Sequence, residues 1–207
     1  MPLAARAARG ALAAPAAVLL LLAVACVVPR RTREPVHAST AAAPARPRTA
    51  MGDLDYLRAR RLMVPVDGIS PSQVPDSYDA RRGGGRRHNA LDILAPRGTP
   101  VLAADAGRIL RLSENSAGGL TIYAVDAEER FVYYYAHLDR YRARLREGES
   151  IERGDVIGYV GTSGNAPRNT PHLHFQVMRY EDKRRWWDGT PVNPHIFLAL
   201  EGRRARE

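Results

Sequence analysis

Residues 172–178 read His-Leu-His-Phe-Gln-Val-Met, a stretch in which apolar and polar side chains alternate. Side chains two residues apart on a strand point to the same face of a sheet. Leu173 and Phe175 are therefore expected to enter a core, while His172 and His174 project together from the opposite face. The stretch predicts a half-buried β-strand that carries two imidazoles on its open face.

Six further apolar runs of similar length occur after Leu62, separated by Gly, Pro, Asn or Asp. Such spacing is typical of an all-β domain with tight connections, and few segments sustain a helical period. The runs cover residues 91–95, 100–104, 107–112, 120–125, 130–137 and 156–160. The sequence thus predicts an all-β domain at residues 62–200, a short helical lead-in at residues 51–61, and a charged tail at residues 201–207.

Residues 1–25 have the layout of a secretion signal. Arg6 and Arg9 precede an apolar stretch at residues 11–28, as the charged and hydrophobic regions of such signals require. Cys26 is the only cysteine of the chain, and it is similar in position to the lipid-bearing cysteine of bacterial lipoproteins. A cleaved signal with soluble secretion and an uncleaved anchor of marginal length are the alternatives. In each case we expect an exported protein, periplasmic or associated with the cell envelope.

The net charge of +9 lies mainly outside the predicted domain. Residues 1–50 carry seven arginines against Glu34 alone, whereas residues 62–200 carry 18 basic and 17 acidic side chains. Residues 26–50 are also rich in Pro and Ala without apolar periodicity, which predicts a disordered tether. A nucleic-acid partner would require a basic stripe on the folded domain, so the charge pattern argues against one.

Two pairs of polar residues could supply metal ligands. His88 and Asp92 can share one face of a strand or of a helical turn, and His172 and His174 share a face of the predicted strand. A catalytic zinc commonly takes three N or O ligands and leaves one position for water, whereas structural zinc sites use several cysteines. With one cysteine in the chain, a Cys-rich site is excluded. Two histidines and one aspartate suit zinc, although nickel, cobalt or copper accept the same ligand types.

Four motifs follow one another between residues 88 and 175: HNALD, YYYAHL, GTSGN and PHLHF. In this order they resemble the lysostaphin-like zinc metallopeptidases, also called LytM-type peptidoglycan hydrolases, over roughly residues 62–198. The resemblance implies a mostly antiparallel β fold of the duplicated hybrid-motif type, with an open active-site groove. It also implies one Zn²⁺ per domain.

The resemblance assigns roles to five residues. The implied metal ligands are His88, Asp92 and His174. His137 and His172 match two non-ligand histidines that polarise the attacking water and stabilise the oxyanion or shuttle its proton, and the sequence leaves open which of them is the general base. Ala90 stands where the family usually has Gly, and we expect the site to tolerate the extra methyl group.

The implied activity is zinc-dependent hydrolysis of peptidoglycan amide bonds by metal-activated water, in peptide cross-links or stem peptides. An amidase that cuts the sugar-to-peptide bond is an alternative. A non-catalytic LytM-like module that binds or activates another cell-wall hydrolase is a second, although such modules typically lose ligands. Residues 148–161 also resemble the hairpins of biotin or lipoyl carriers, but they contain no lysine that could be modified.

The expected partners are peptidoglycan and, through a lipid on Cys26 or an N-terminal anchor, the membrane. The oligomeric state stays open.

Several other side chains near these motifs have a structural and a functional interpretation. The tyrosines at 133–135 are expected mainly to pack in the core and across strands. Trp186 and Trp187 suit a groove rim or a loop anchor, and Asn165 suits a turn near the site. Four arginines either meet an anionic polymer or substrate carboxylates, or remain solvated loop charges. They are Arg81, Arg82, Arg86 and Arg87.

Overall fold

The computed structural model describes residues 52–198, which include an eight-residue helix, nine strands, two short 3₁₀ turns and helical residues at 195–198. The helix is α1 (Asp53–Arg60), and the turns are Pro71–Gln73 and Gly83–Gly85. The strands are β1 (Leu91–Leu94), β2 (Pro100–Leu102), β3 (Gly107–Asn115), β4 (Gly119–Asp126), β5 (Phe131–Tyr141), β6 (Ser150–Ile151), β7 (Val156–Val160), β8 (His172–Arg179) and β9 (Pro191–Val192).

All nine strands belong to one antiparallel sheet. The main order is β1-β8-β5-β4-β3-β6, with β7 paired to β2 and β5, and β9 paired to β8. Strand β8 therefore lies between β1 and β5, and His174 has Asp92 opposite it on one side and Ala136 on the other. This register joins two of the sequence motifs although 82 residues separate Asp92 from His174.

Alternation along β8 and β5 determines which side chains form the core. Leu173 and Phe175 of β8 are fully buried beside Tyr133 and Tyr135 of β5. The Tyr133 hydroxyl donates to the Asp105 carboxylate at 2.8 Å, and the Tyr135 hydroxyl accepts from a backbone N–H at 3.0 Å. Both phenols thus bury their rings without an unsatisfied polar atom. The two histidines of β8, His172 and His174, are left on the opposite face.

Helix α1 packs against this core through Tyr56 and Leu57, both of which are buried. The Tyr56 ring stacks on Phe131 with centroids 5.7 Å apart, and Arg60 pairs with the buried Asp105 at 2.7 Å. Eight residues are too few for a stable isolated helix in water. Tertiary packing therefore stabilises this helix.

The predicted all-β fold is confirmed, and each of the seven predicted runs contains a strand. Strands β3 and β5 continue further than the alternation indicated, to Asn115 and Tyr141. Strands β6 and β9 have two residues each, too few for a period-2 pattern to show in the sequence. The predicted signal, Cys26, the tether and the charged tail lie outside the described residues. Within residues 52–198, no helix has the length and apolar character needed to cross a membrane.

Candidate metal centre

An open groove of about 640 Å³ lies over the face of the sheet that carries the histidines. It contains all five residues that the sequence singled out: His88, Asp92, His137, His172 and His174. Tyr134, the one of the three consecutive tyrosines that is not buried, also lines it. The sheet thus brings residues from motifs that are distant in the sequence together in one groove.

The backbone around His88 orients its imidazole before β1 begins. The His88 N–H donates to the Ala80 carbonyl at 2.9 Å, and Asn89 has the left-handed φ of 56°. His88 Nδ1 lies 2.9 Å from the Ser77 carbonyl oxygen. Because a carbonyl only accepts, Nδ1 carries the proton and Nε2 keeps its lone pair for the groove.

Three ligand atoms converge from β8, β1 and the loop that precedes β1. His88 Nε2 lies 3.0 Å from Asp92 Oδ1 and 3.1 Å from His174 Nδ1, and the last two atoms are 3.1 Å apart. Tetrahedral zinc binds N and O ligands at about 2.0–2.2 Å, which separates neighbouring ligand atoms by roughly 3.3 Å. The donor types and their mutual distances therefore fit a metal ion, and these three residues could hold one.

The electrostatics of this cluster favour the protonation states that a metal requires. Burial alone would raise the pKa of Asp92, but the polar contacts with His174, His88 and Arg82 outweigh it and hold the pKa well below its usual range. Burial lowers the pKa of His174, against the opposing hydrogen bond to Asp92. An ionised carboxylate beside neutral imidazoles is the form in which these groups bind metals.

His137 and His172 face each other next to these ligands, with ring centroids 4.9 Å apart. His172 Nδ1 lies 2.8 Å from the Thr170 carbonyl oxygen, and His137 Nδ1 lies 2.9 Å from that of Ser163. By the argument used for His88, each ring keeps Nε2 as its unprotonated nitrogen. Burial lowers the pKa of His137 to about 4, so this ring is neutral at neutral pH.

A β-bulge places His137 in the groove. Between the pairs Leu120–Leu138 and Ile122–Tyr135, β5 advances three residues while β4 advances two. His137 lies in this interval with a φ of 61°, and its N–H donates to a backbone carbonyl at 2.7 Å. Bulges commonly re-aim a side chain beside an active site. No residue pattern in the sequence predicted this bulge.

The Ala90 methyl does not disturb the register of β1. Ala90 is fully buried, and Leu91–Leu94 pairs with β8 without a register shift. The expected tolerance of alanine at this position is consistent with that pairing.

The remaining candidates separate into groove and non-groove residues. Arg82, Arg86, Arg87 and Asn165 line the groove, whereas Arg81 and both tryptophans are not part of its lining. Trp186 instead packs edge-to-face on Tyr123, with centroids 4.5 Å apart. The tryptophan pair therefore has the contacts of a loop anchor.

Sequence reasoning missed the residues that hold the histidines in place. The carbonyls of Ser77, Ser163 and Thr170 each accept from one imidazole, and Ser77 Oγ accepts from the Asp92 N–H at 3.0 Å. Every residue has a backbone carbonyl, so the three carbonyl contacts leave no signal in residue types.

The model of peptidase family M23 matches residues 86–194, more than half of the chain. The chain belongs to peptidase family M23. The resemblance to LytM-type peptidases is thereby confirmed. This M23 chain is 36% identical over 124 residues to the L-Ala–D-Glu endopeptidase of Bacillus subtilis, covering 57% of the chain and 37% of that relative.

One further sequence relative and one solved structure are similar to this chain. The peptidoglycan DD-endopeptidase ShyC of Vibrio cholerae is 30% identical over 111 residues, which are 51% of this chain and 24% of that relative. Lysostaphin from Staphylococcus simulans superposes with a TM-score of 0.51 at 27% identity, covering 62% of this chain and 50% of that one. This M23 chain spans less than half the length of the two curated relatives.

Proposed function

We propose that this chain is an exported, zinc-dependent M23 peptidase that hydrolyses amide bonds in peptide cross-links or stem peptides of peptidoglycan. The observation that carries the proposal is the convergence of His88 Nε2, Asp92 Oδ1 and His174 Nδ1 at 3.0–3.1 Å. Membership of the family and the peptidoglycan endopeptidase named among its relatives support the substrate class. All five residues implied by the family resemblance are present in one groove.

In this proposal His88, Asp92 and His174 hold the zinc ion. The ion supplies Lewis acidity, which lowers the pKa of a bound water from about 15.7 to about 7 and polarises a carbonyl group. Asp92 presents Oδ1 to the ligand cluster while its Oδ2 accepts from Arg82. That outer contact fixes the orientation of the carboxylate, as partners of metal ligands commonly do.

His137 and His172 share the proton transfers and the stabilisation of the oxyanion. Each ring is anchored through Nδ1 to a backbone carbonyl, so its Nε2 is free to accept a proton at the groove. A ring that has accepted the proton becomes a donor for the oxyanion or the leaving amine. Peptide bond cleavage needs both an acceptor and a donor, and two adjacent imidazoles can provide them.

We further propose that residues 1–25 direct export and that the enzyme acts in the periplasm or cell envelope. Cys26 would carry a lipid, follow a simply cleaved signal in a soluble secreted form, or lie beside a retained N-terminal anchor, and peptidoglycan would be the partner of the groove. Mass spectrometry of the full-length protein from a bacterial membrane fraction tests this. A diacylglyceryl mass on an N-terminal Cys26 supports the lipoprotein form, and an intact Met1 supports the anchor.

The hydrolase proposal is tested on purified peptidoglycan with the domain plus zinc, plus chelator, and as His174→Ala. Released fragments should appear only with zinc and the intact ligand set, and their masses identify the bond cleaved. His195→Ala is the matched control, because this histidine bonds the Val74 carbonyl outside the groove at 3.1 Å. If the domain holds stoichiometric zinc and releases nothing, the hydrolase proposal fails and a non-catalytic module is favoured.

A further inference from the structure

Residues 81–87, hereafter the arginine hairpin, contribute Arg82, Gly83, Arg86 and Arg87 to the lining of the groove. Their ends are joined by a β-bridge between Arg81 and Arg87 and by the Arg82 N–H donating to the Arg86 carbonyl at 2.8 Å. Gly84 and Gly85 make the tight tip, each with a φ of 75°. The backbone that carries these arginines is therefore fixed immediately before the first metal ligand.

The charge of the groove is strongly asymmetric. Arg82, Arg86 and Arg87 line it from the hairpin, and Asp92 is the only acidic residue in the described lining. The lining also contains a set of uncharged residues: Ala117, Gly118, Asn165, Ala166, Pro167 and Thr170. A bound cation would further neutralise Asp92. The groove thus presents positive potential to whatever enters it, and such a field favours an anionic ligand.

The three groove arginines differ in how far they are already paired. Arg82 donates to Asp92 Oδ2 and is committed to the ligand cluster. Arg87 pairs with Asp79 at 3.1 Å, but both side chains are more than two-thirds exposed, and exposed pairs of this kind are weak. Arg86 is exposed and makes no side-chain hydrogen bond or ion pair with any residue of the described part. The guanidinium groups of Arg86 and Arg87 therefore have N–H donors available for a ligand in the groove.

We propose that Arg86 and Arg87 bind a free carboxylate of the substrate peptide close to the scissile amide. A guanidinium presents a planar pair of N–H donors that matches a carboxylate, and charge-assisted hydrogen bonds of this type are the strong ones. The site would then select anionic stem peptides over neutral peptide bridges. This inference rests on the proposed peptidase function and specifies its substrate class.

The test uses two synthetic peptides with the same sequence, one with a free side-chain carboxylate next to the cleaved bond and one with that group amidated. Wild-type protein should show a kcat/KM at least about tenfold higher for the carboxylate form, as one charge-assisted hydrogen bond provides. Arg86→Gln/Arg87→Gln should reduce this ratio to within about twofold of unity. Arg168→Gln is the control, because this exposed arginine lies outside the groove lining and should keep the full ratio.

Binding of the same two peptides, labelled and measured by fluorescence anisotropy, separates the two proposals. Equal cleavage and equal binding of both peptides by the wild type overturns carboxylate selection but leaves the peptidase proposal intact. A preference that survives in Arg86→Gln/Arg87→Gln also overturns it. If the zinc-loaded protein cleaves neither peptide but binds the carboxylate form better, and the double variant loses that preference, the peptidase proposal fails and carboxylate recognition stands.

Discussion

Asp92 and His174 lie directly opposite each other on antiparallel strands β1 and β8, and their Oδ1 and Nδ1 atoms are 3.1 Å apart. Cross-strand partners on one face are the closest side-chain neighbours that a sheet provides. The sheet register therefore fixes two of the three proposed metal ligands relative to each other. His172, two residues earlier on the same face, lies 3.8 Å from Asp92 Oδ1 through Nε2.

This arrangement predicts different outcomes for the two histidines of β8. His174→Ala should abolish stoichiometric zinc binding because it removes one of three ligands. His172→Ala should retain zinc yet lose about 10²- to 10⁴-fold in kcat, the usual range for a general acid or base. Zinc content after dialysis and peptidase rates on one protein preparation check both. Loss of zinc in His172→Ala would mean that the two roles have been exchanged.

Zinc should also stabilise the fold. A ligand that binds only the native state at 100 times its Kd adds about 2.7 kcal/mol, which raises Tm by roughly 5–10 °C in a domain of this size. Thermal unfolding with zinc and with chelator measures the shift. His195→Ala should keep the shift and His174→Ala should lack it; an equal shift in both would place the stabilising zinc elsewhere.

Gly119→Ala should disrupt the support of His137. Gly119 has a φ of 64°, and an added Cβ would lie 2.2 Å from Ser163 Oγ and 2.3 Å from the Ser163 carbonyl carbon. Left-handed strain and overpacking together should cost about 3 kcal/mol or more in the free energy of unfolding. Gly148→Ala is the control, because its φ is 80° with no heavy atom within 4 Å, and strain alone should cost about 1–2 kcal/mol.

Urea unfolding of both glycine variants measures these costs. Only Gly119→Ala should also reduce the peptidase rate, since the carbonyl of Ser163 holds the His137 ring. Equal stability losses would show that the loop around Ser163 moves aside freely.

The sequence predicted the β8 alternation and, through the family resemblance, five candidate site residues, but the geometry that orients His137 and its neighbours had to come from the structure. His137 faces the groove because it lies in a bulge with a left-handed φ. A glycine would have indicated such a φ in the sequence, but this position is a histidine. The imidazoles of His88, His137 and His172 are anchored by backbone carbonyls. Arg82 reaches Asp92 because the hairpin folds back. Local patterns predict strands; contacts between a loop and a strand depend on tertiary packing.

Tyr56→Phe should lower stability in a pH-dependent way. The Tyr56 hydroxyl lies between the carboxylates of Asp126 and Glu128, and its hydrogen bond to Glu128, ahead of the nearby Arg60, lowers the pKa of Glu128 from 4.5. A depressed folded pKa gives stability that is present above the unfolded pKa and lost as pH falls through the folded one. The variant keeps the ring that stacks on Phe131.

Urea unfolding at pH 7 should therefore show Tyr56→Phe about 1–2 kcal/mol less stable than wild type, with the difference shrinking below roughly pH 4. The same difference at pH 7 and pH 3 would show that the carboxylate of Glu128 takes no part in it.

Ser77 lies outside the residues that match the family model, 86–194, yet it contacts two of the proposed ligand residues. Its Oγ accepts from the Asp92 N–H at 3.0 Å, and its carbonyl accepts from His88 Nδ1 at 2.9 Å. Ser77→Ala removes the first contact and retains the second. Loss of such an outer partner typically weakens metal affinity 10- to 100-fold, and we expect about tenfold here, measured by competition with a chromogenic chelator. Ser72→Ala is the matched control, since the Ser72 hydroxyl hydrogen-bonds to that of the exposed Ser70 at 3.0 Å. Equal zinc affinity in the two variants would show that β1 pairing alone positions Asp92.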